Sequence, residues 1–207
     1  MDFATLDSLA AKMMQNRKSH KEREVGAAYD HGKRVGAGVI SLRKAVTEDD
    51  SHDDFLRAAA MFHDVGKGIE PHPHTGSLLV RDFLQGYASQ DEIEEIARLI
   101  AAHADRHPQE DKHDIWARLL QDADLMDHYG TYDIWMCFNY YAYNGQEGIQ
   151  RAVDFMNNEY PQQAERHRRL LNFEVSRQIY DEKVAFEINF TQRMSIEASG
   201  EYFLFKI

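Results

Sequence analysis

Apolar residues recur every three or four positions along most of this chain, which places them on one face of a helix. Seven such stripes run through residues 6–13, 25–39, 55–62, 78–84, 93–100, 115–123 and 135–142. The second helix is expected over 22–45, and Ser89 with Glu92 has capping-box spacing at the start of the fifth. Pro161 suits the first turn of a long final helix. The pattern therefore predicts an all-α fold, with only residues 201–207 resembling a strand.

Composition narrows the class of protein. The 207 residues are enough for one compact domain, and a hydrophobic content of 43% argues against disorder. No apolar run approaches the ~20 residues of a membrane span, and residues 1–17 lack the apolar stretch of a signal peptide. The single Cys137 excludes an intrachain disulfide and a cysteine-based zinc site. We expect a cytoplasmic protein without a membrane partner, and oligomerisation stays open.

The net charge of -11 bears on the substrate. An acidic chain without a long basic tract repels nucleic acid polymers, so a long nucleic acid is not expected as a partner. A small anionic substrate is compatible with this charge, because bound metal ions reverse the sign of the field inside a cleft. The 11 histidines point weakly to such metal chemistry.

Three histidines lie on the apolar faces of three different predicted helices, namely His31, His63 and His103. Asp64 follows His63 directly, and a buried carboxylate without a partner costs several kcal/mol. Each histidine taken alone is more simply a core residue bonded to the backbone. Their convergence with Asp64, in a chain without a cysteine alternative, favours a metal site of imidazoles and carboxylates.

An acidic cluster ends the sixth predicted helix and contains Asp122, Asp124 and Asp127. Asp127 lies nearest the apolar stripe, and the other two flank it on opposite sides. Helical periodicity does not choose a ligand among the three. For a cluster of this kind, the simpler interpretation is a solvated helix end.

Five short motifs occur in a characteristic order. They are DHGKRV (30–35), AMFHDVGK (60–67), HPHTGS (72–77), IAAH (100–103) and LQDAD (120–124). Together they resemble the HD superfamily of metal-dependent phosphohydrolases over residues 29–129. The resemblance implies one HD-type helical domain over 1–207, with a motif core at 22–130 and a C-terminal helical extension at 131–207. Nothing after Gly130 matches a motif of the family.

The resemblance assigns six metal ligands. One ion would be held by His31, His63, Asp64 and Asp124, so that the closing aspartate is Asp124. A second ion would be held by His72 and His103, with Asp64 bridging, and the family position falls on His72 rather than His74. One or two divalent ions are expected, with Mn, Fe, Co or Ni favoured and Zn or Mg as alternatives.

The same resemblance implies hydrolysis of a small phosphate ester or nucleotide by metal-activated water. The residues implied to act in catalysis are Asp64, Lys67, His72 and His103. Lys67 is either a phosphate contact or a surface lysine, and Arg34 is either a phosphate contact or part of a structural ion pair.

The sequence departs from the family motifs at two points, and two other functions are alternatives to this hypothesis. Ala104 follows His103 where some relatives have a second histidine, and no Gly-Tyr-Pro element follows, which argues against a cyclic-dinucleotide phosphodiesterase. The rivals are a dinuclear iron oxygenase of the same superfamily and a non-catalytic nucleotide-binding module. Oxygen consumption would distinguish the first rival, and the complete ligand set argues against the second.

Overall fold

A computed structural model describes residues 1–17, 26–107, 112–144 and 148–200. These residues form ten helices and no strand, which confirms the predicted all-α class. The helices are α1 (Phe3–Met14), α2 (Ala27–Val46), α3 (Asp53–Phe62), α4 (His72–Phe83), α5 (Gln90–Ala102), α6 (Ile115–Asp127), α7 (Thr131–Asn144), α8 (Gly148–Asn158), α9 (Tyr160–Arg168) and α10 (Glu174–Ser199). No helix in these segments is both long and apolar enough to cross a membrane.

The C-terminal extension differs from the prediction in two ways. The prediction of one long final helix is wrong, because the chain forms two helices, α9 and α10, with a break after Arg168. Pro161 lies in the first turn of α9. Helix α8 was not predicted at all. The strand-like tail, residues 201–207, and the predicted start of the second helix at residue 22 lie outside the described residues.

Local sequence explains where two of the core helices begin. The capping box of α5 is confirmed, because the Ser89 side chain accepts the Glu92 backbone N–H while Glu92 accepts the Ser89 backbone N–H. Helix α6 begins after Asp114, whose carboxylate accepts the backbone N–H of Ala117 at 2.9 Å. Both caps fix helices that carry residues of the candidate site.

Two glycines allow the close approaches that bring the motif residues together. A Cβ on Gly32 would lie 2.9 Å from the Met61 carbonyl oxygen, so α2 and α3 touch through bare backbone beside His31. A Cβ on Gly66 would lie 2.6 Å from the backbone nitrogen of Gly76, where the turn after α3 meets α4. Larger residues would force these helices apart at the level of the histidines.

The break between α9 and α10 is held by Asp122, which is buried in α6. Its carboxylate accepts the backbone N–H groups of Asn172 at 2.8 Å and Phe173 at 3.0 Å, and the Asn172 side-chain amide at 2.8 Å. Since Phe173 is the N-cap of α10, Asp122 supplies from a distant helix the acceptor that the α10 terminus lacks locally. Asp122 is thus a structural residue that joins the extension to α6.

The extension also holds the corner between α6 and α7. Lys183 donates to the Met126 carbonyl at 2.6 Å, and the buried Glu187 accepts the backbone N–H of Gly130. Tyr129 lies between these anchors, with its hydroxyl 2.6 Å from His167 Nδ1. Three consecutive parts of the corner are therefore bonded to α9 and α10.

Removal of the Asp122 acceptor should destabilise the fold. In Asp122→Ala the two backbone donors lose their buried partner, and we expect the free energy of unfolding to fall by about 2–4 kcal/mol. Urea denaturation followed by circular dichroism measures the change. Asp50→Ala, which removes an exposed carboxylate, should stay within about 0.5 kcal/mol of the wild type. Equal stability of Asp122→Ala and Asp50→Ala would contradict this role.

The buried Glu187 should make stability depend on pH. Burial, followed by the nearby charge of Asp133, raises the pKa of Glu187 from 4.5 to about 8. The folded protein then keeps a proton that the unfolded chain releases, so this group lowers the free energy of unfolding as pH rises from about 4.5 to about 8. Glu187→Gln should therefore gain stability relative to wild type across this range, measured by urea denaturation at several pH values. A constant difference between the two proteins would contradict the raised pKa.

Candidate metal centre

Five elements meet at one point in the bundle and bring together all six side chains that the motifs single out. Helix α2 contributes one residue, the end of α3 with its following turn contributes two, and α4, α5 and α6 contribute one each. In chain order these residues are His31, His63, Asp64, His72, His103 and Asp124. All are buried except His72, which is partly exposed at the start of α4.

Asp124 lies at one end of this cluster. Its Oδ1 is 3.0 Å from His31 Nε2 and 3.4 Å from His63 Nε2, and the two Nε2 atoms are 3.1 Å apart. Asp122 instead binds the α10 terminus, so among the clustered aspartates Asp124 is the one that points at both histidines. The geometry therefore brings Asp124, rather than Asp122, into the cluster.

Asp64 lies between the two ends. Its Oδ1 is 3.6 Å from His63 Nε2, 3.8 Å from His72 Nε2 and 3.9 Å from His103 Nε2. Within the described part of the chain this buried oxygen has no hydrogen-bond partner. Lys67 Nζ approaches it to 3.3 Å, as an ion pair without hydrogen-bond geometry. Asp64 Oδ1 therefore faces imidazole nitrogens from both ends of the cluster.

The histidine rings are fixed from behind through Nδ1. His63 donates to the Ala60 carbonyl and His103 to the Ile100 carbonyl, each at 2.7 Å. Since a carbonyl only accepts, the proton is on Nδ1, and in the neutral ring the Nε2 lone pair faces the cluster.

The other two histidines have carboxylates behind them. His31 Nδ1 lies 2.7 Å from Asp127 Oδ2, and His72 Nδ1 lies 3.1 Å from Glu70 Oε2. All four rings thus have a partner on Nδ1 and present Nε2 to the centre. This outer hydrogen bonding is typical of metal-ligating histidines.

The donor set fits a divalent cation. Imidazole nitrogens and two buried carboxylates face one another in a small space, where Asp64 Oδ1 has no hydrogen bond among the described residues. A cation between these donors would offset the cost of burying the carboxylates. Potential ligand atoms lie within 4.8 Å of one another in groups of three residues, among them His31 with His63 and Asp64, and Asp64 with His72 and His103. Mixed imidazole and carboxylate donors suit borderline transition ions better than Ca²⁺.

Charge inside the cluster shifts several pKa values. Burial by itself lowers the pKa of His31, but hydrogen bonds with Asp124 and Asp127 outweigh it and raise the pKa to about 9. Burial, and then the neighbouring His63, lower the pKa of His103 to about 3. Burial opposes the charged form of Asp64, but His63 and Lys67 lower its pKa below the ordinary value.

A second group of residues supports the cluster. Arg34 donates to Asp127 from Nε at 3.0 Å and Nη2 at 2.8 Å, which holds the carboxylate behind His31. Arg34 is therefore engaged in an ion pair, one of the two alternatives left open by the sequence. Arg106 Nη2 contacts the second oxygen of Asp124 at 2.5 Å, and no motif marked this arginine. Asp127, in contrast, could be singled out from the sequence, because it lies nearest the apolar stripe of the sixth predicted helix.

A cavity of about 310 Å³ opens beside His31. Arg34, His128, Tyr132 and Met136 are among its lining residues, and the Arg34 guanidinium lies 3.9 Å from the Tyr132 ring centroid. Lys67 lies at the other end of the cluster, half-buried beside Asp64 and 3.5 Å from His72 Nε2. Polar side chains and one aromatic ring therefore surround the approach on the His31 side.

A helical bundle with a histidine and aspartate cluster of this order defines the HD class of proteins. Residues 28–128 match the family model described as HD domain. This part of the chain is therefore an HD domain, which confirms the resemblance of the motifs. HD domains bind divalent metals, and the His and Asp clusters of this chain are candidate sites for such an ion.

Solved structures show the same fold along nearly the whole chain. An HD-superfamily hydrolase from Bacillus thuringiensis has 18% identity and a TM-score of 0.66, over 96% of this chain and 99% of that one. Bacillus subtilis YpgQ in complex with ADP has 15% identity and a TM-score of 0.63, over 93% and 97%. A predicted HD-superfamily hydrolase from an uncultured Thermotogales bacterium has 16% identity and a TM-score of 0.61, over 94% and 91%. Comparison with curated proteins gives no match.

The carboxylate behind His31 should matter for ion affinity. Asp127→Asn removes the charge that orients His31 and leaves Arg34 without its partner, so we expect affinity for Mn²⁺ to fall about 10- to 100-fold. Isothermal titration of metal-free protein measures it. Asp30→Asn, an exposed aspartate next to His31 in the chain, is the matched control and should bind like wild type. Unchanged affinity in a folded Asp127→Asn protein would rule out this role.

Proposed function

We propose that this chain is a divalent-metal-dependent phosphohydrolase that acts on a small phosphate ester or nucleotide. The observation that carries the proposal is the buried Oδ1 of Asp64, which has no hydrogen bond among the described residues and is faced by imidazole nitrogens whose opposite sides are already bonded. That arrangement would suit divalent ions held by Asp64 together with the surrounding histidines. In support, solved structures of similar fold include HD-superfamily hydrolases.

Each residue of the cluster has a role in this proposal. One ion would be held by His31, His63, Asp64 and Asp124, and a second by Asp64, His72 and His103. When bound, a divalent ion neutralises phosphate charge and lowers the pKa of water enough for attack near neutral pH.

The protein's own cation adds to this charge. Lys67 places its ammonium 3.3 Å from Asp64 and keeps part of its side chain exposed, so it is positioned to bind a phosphate oxygen next to the centre. The burial of His63 and His103 keeps bulk water from the inner side of the site. Catalysis is therefore assigned to positioning and electrostatics, without a covalent nucleophile.

The substrate is proposed to be small, and a nucleotide is the first choice to test. YpgQ was crystallised with ADP, which makes nucleotides reasonable candidates for a chain of the same fold. The cavity beside His31 is of suitable size for part of such a molecule, and Tyr132 offers an aromatic surface there. The charge of -11 disfavours a long polyanion at physiological salt.

Metal removal and one pair of histidine variants test the proposal. A chelator should abolish phosphate release from nucleotides and small phosphomonoesters, and Mn²⁺ or Co²⁺ should restore it. His72→Ala should lower kcat at least about tenfold, because it removes a proposed metal ligand. The helical circular dichroism spectrum should be retained, because the His72 side chain is partly exposed. His74→Ala removes an exposed histidine two residues away and should retain wild-type turnover.

Contrary results would identify the rivals. Substrate oxidation with consumption of O₂, and no phosphate or pyrophosphate release from any compound tested, would replace hydrolysis by an oxygenase function. Tight nucleotide binding without turnover at any metal concentration would indicate a binding module. Equal turnover of His72→Ala and His74→Ala would remove His72 from the site.

A further inference from the structure

His128 approaches the cluster from the side opposite His72. It is the C-cap of α6, one turn after Asp124, and its Nε2 lies 3.4 Å from Asp124 Oδ1. Its ring packs against that of His31, with centroids 4.7 Å apart and planes at 40°. The ligand atoms of His31, Asp124 and His128 lie within 4.8 Å of one another, as in the two groups described above. His128 is not among the six side chains that the motifs assign.

The His128 imidazole is the third that faces Asp124 Oδ1, and this arrangement bears on whether His128 binds metal. His31, His63 and His128 all direct Nε2 at this one oxygen, at 3.0, 3.4 and 3.4 Å. The rings of His31 and His63 have Nδ1 bonded to an acceptor, so in their neutral forms their Nε2 lone pairs face the carboxylate. A divalent cation among these atoms would be coordinated by the imidazole nitrogens and the carboxylate oxygen together.

The position of His128 is built into the fold. The corner that follows it is fixed by the Tyr129 contact with His167 and by the bond from Gly130 to Glu187. Its own backbone N–H bonds back to the carbonyls of Leu125 and Met126. The side chain is nevertheless 42% exposed and lines the cavity beside His31, so an ion bound there is reachable from solvent.

We propose that His128 is a seventh metal ligand, which joins His31 and Asp124 in holding a divalent transition ion at the cavity end of the centre. The inference rests on the metal centre of the proposed function but not on the reaction. The competing explanation is that His128 only donates a hydrogen bond to Asp124. The two differ in what an asparagine at this position would do, since its amide donates a hydrogen bond but supplies no imidazole nitrogen.

The test uses Co²⁺ as the probe, because its visible absorption reports the number and type of its ligands. Metal-free full-length wild type, His128→Ala and His128→Asn are titrated with Co²⁺ by calorimetry and by absorbance, with His74→Ala as the control. We expect both His128 variants to lose at least about tenfold in affinity for one ion, or to lose that ion altogether, with a changed absorption band. His74→Ala should match wild type in both readouts.

Each contrary outcome overturns the inference. If His128→Asn binds Co²⁺ with wild-type affinity and spectrum, His128 acts through its hydrogen bond to Asp124 and is not a ligand. If both variants match wild type, His128 has no part in the centre. Ion binding without hydrolysis of any phosphate ester would defeat the proposed function while leaving the His128 comparison valid, and a wild type that binds no Co²⁺ would defeat both. Circular dichroism of each variant confirms that it is folded, and His128→Asn serves if the alanine variant is not.

Discussion

Two carboxylates, those of Asp64 and Asp124, are buried in the middle of a helical bundle among imidazole rings. Burying a charge is costly unless positive charge and hydrogen bonds compensate it. Arg106 compensates one oxygen of Asp124, whereas Oδ1 of Asp64 has no hydrogen bond among the described residues. Lys67 lies 3.3 Å from that oxygen. A divalent cation would complete the compensation, because the surrounding imidazoles direct their Nε2 atoms at the same point.

The arrangement works because the rings are fixed before any ion binds. Backbone carbonyls hold His63 and His103, and the Asp127–Arg34 pair holds His31. The carbonyls come from the residue three positions earlier in each case, so the end of a helix provides the anchor with no additional side chain. Side chains that are already fixed lose less conformational entropy when an ion binds, so binding is more favourable.

The sequence predicted best what depends on local periodicity. The helical class and the inward placement of His31, His63 and His103 follow from apolar stripes, and the structure shows all three histidines buried. Periodicity was unable to rank Asp122 against Asp124, because the two are distinguished by partners about 50 and 93 residues away in the chain, Asn172 and His31. The motif resemblance placed Asp124 at the centre, and the observed contacts agree with that placement. Its role as a ligand stays a proposal.

Other features had no local signal. The separation of α9 from α10 depends on a carboxylate in α6, and the approach of Arg106 to Asp124 depends on how α5 and α6 pack. The spacing of His128 from Asp124 could have indicated it as a candidate, because residues four positions apart lie on the same side of a helix. Without the partner helix in view, that spacing does not distinguish a site residue from a solvated helix end.

The C-terminal extension has a physical role although no family motif was found in it. Asp122, Met126 and Gly130 each bond to it, and they bracket the stretch of chain that carries Asp124, Asp127 and His128. Two of these bonds engage backbone groups of α6 or its corner, so they fix the path of the chain independently of which side chains it bears. The last turn of a helix normally frays because its carbonyls lack partners. Here the Met126 carbonyl accepts the backbone N–H of Tyr129 and, in addition, the Lys183 ammonium. The end of α6 that carries candidate ligands is therefore held by the extension, and the remaining candidate ligands are held by the motif core.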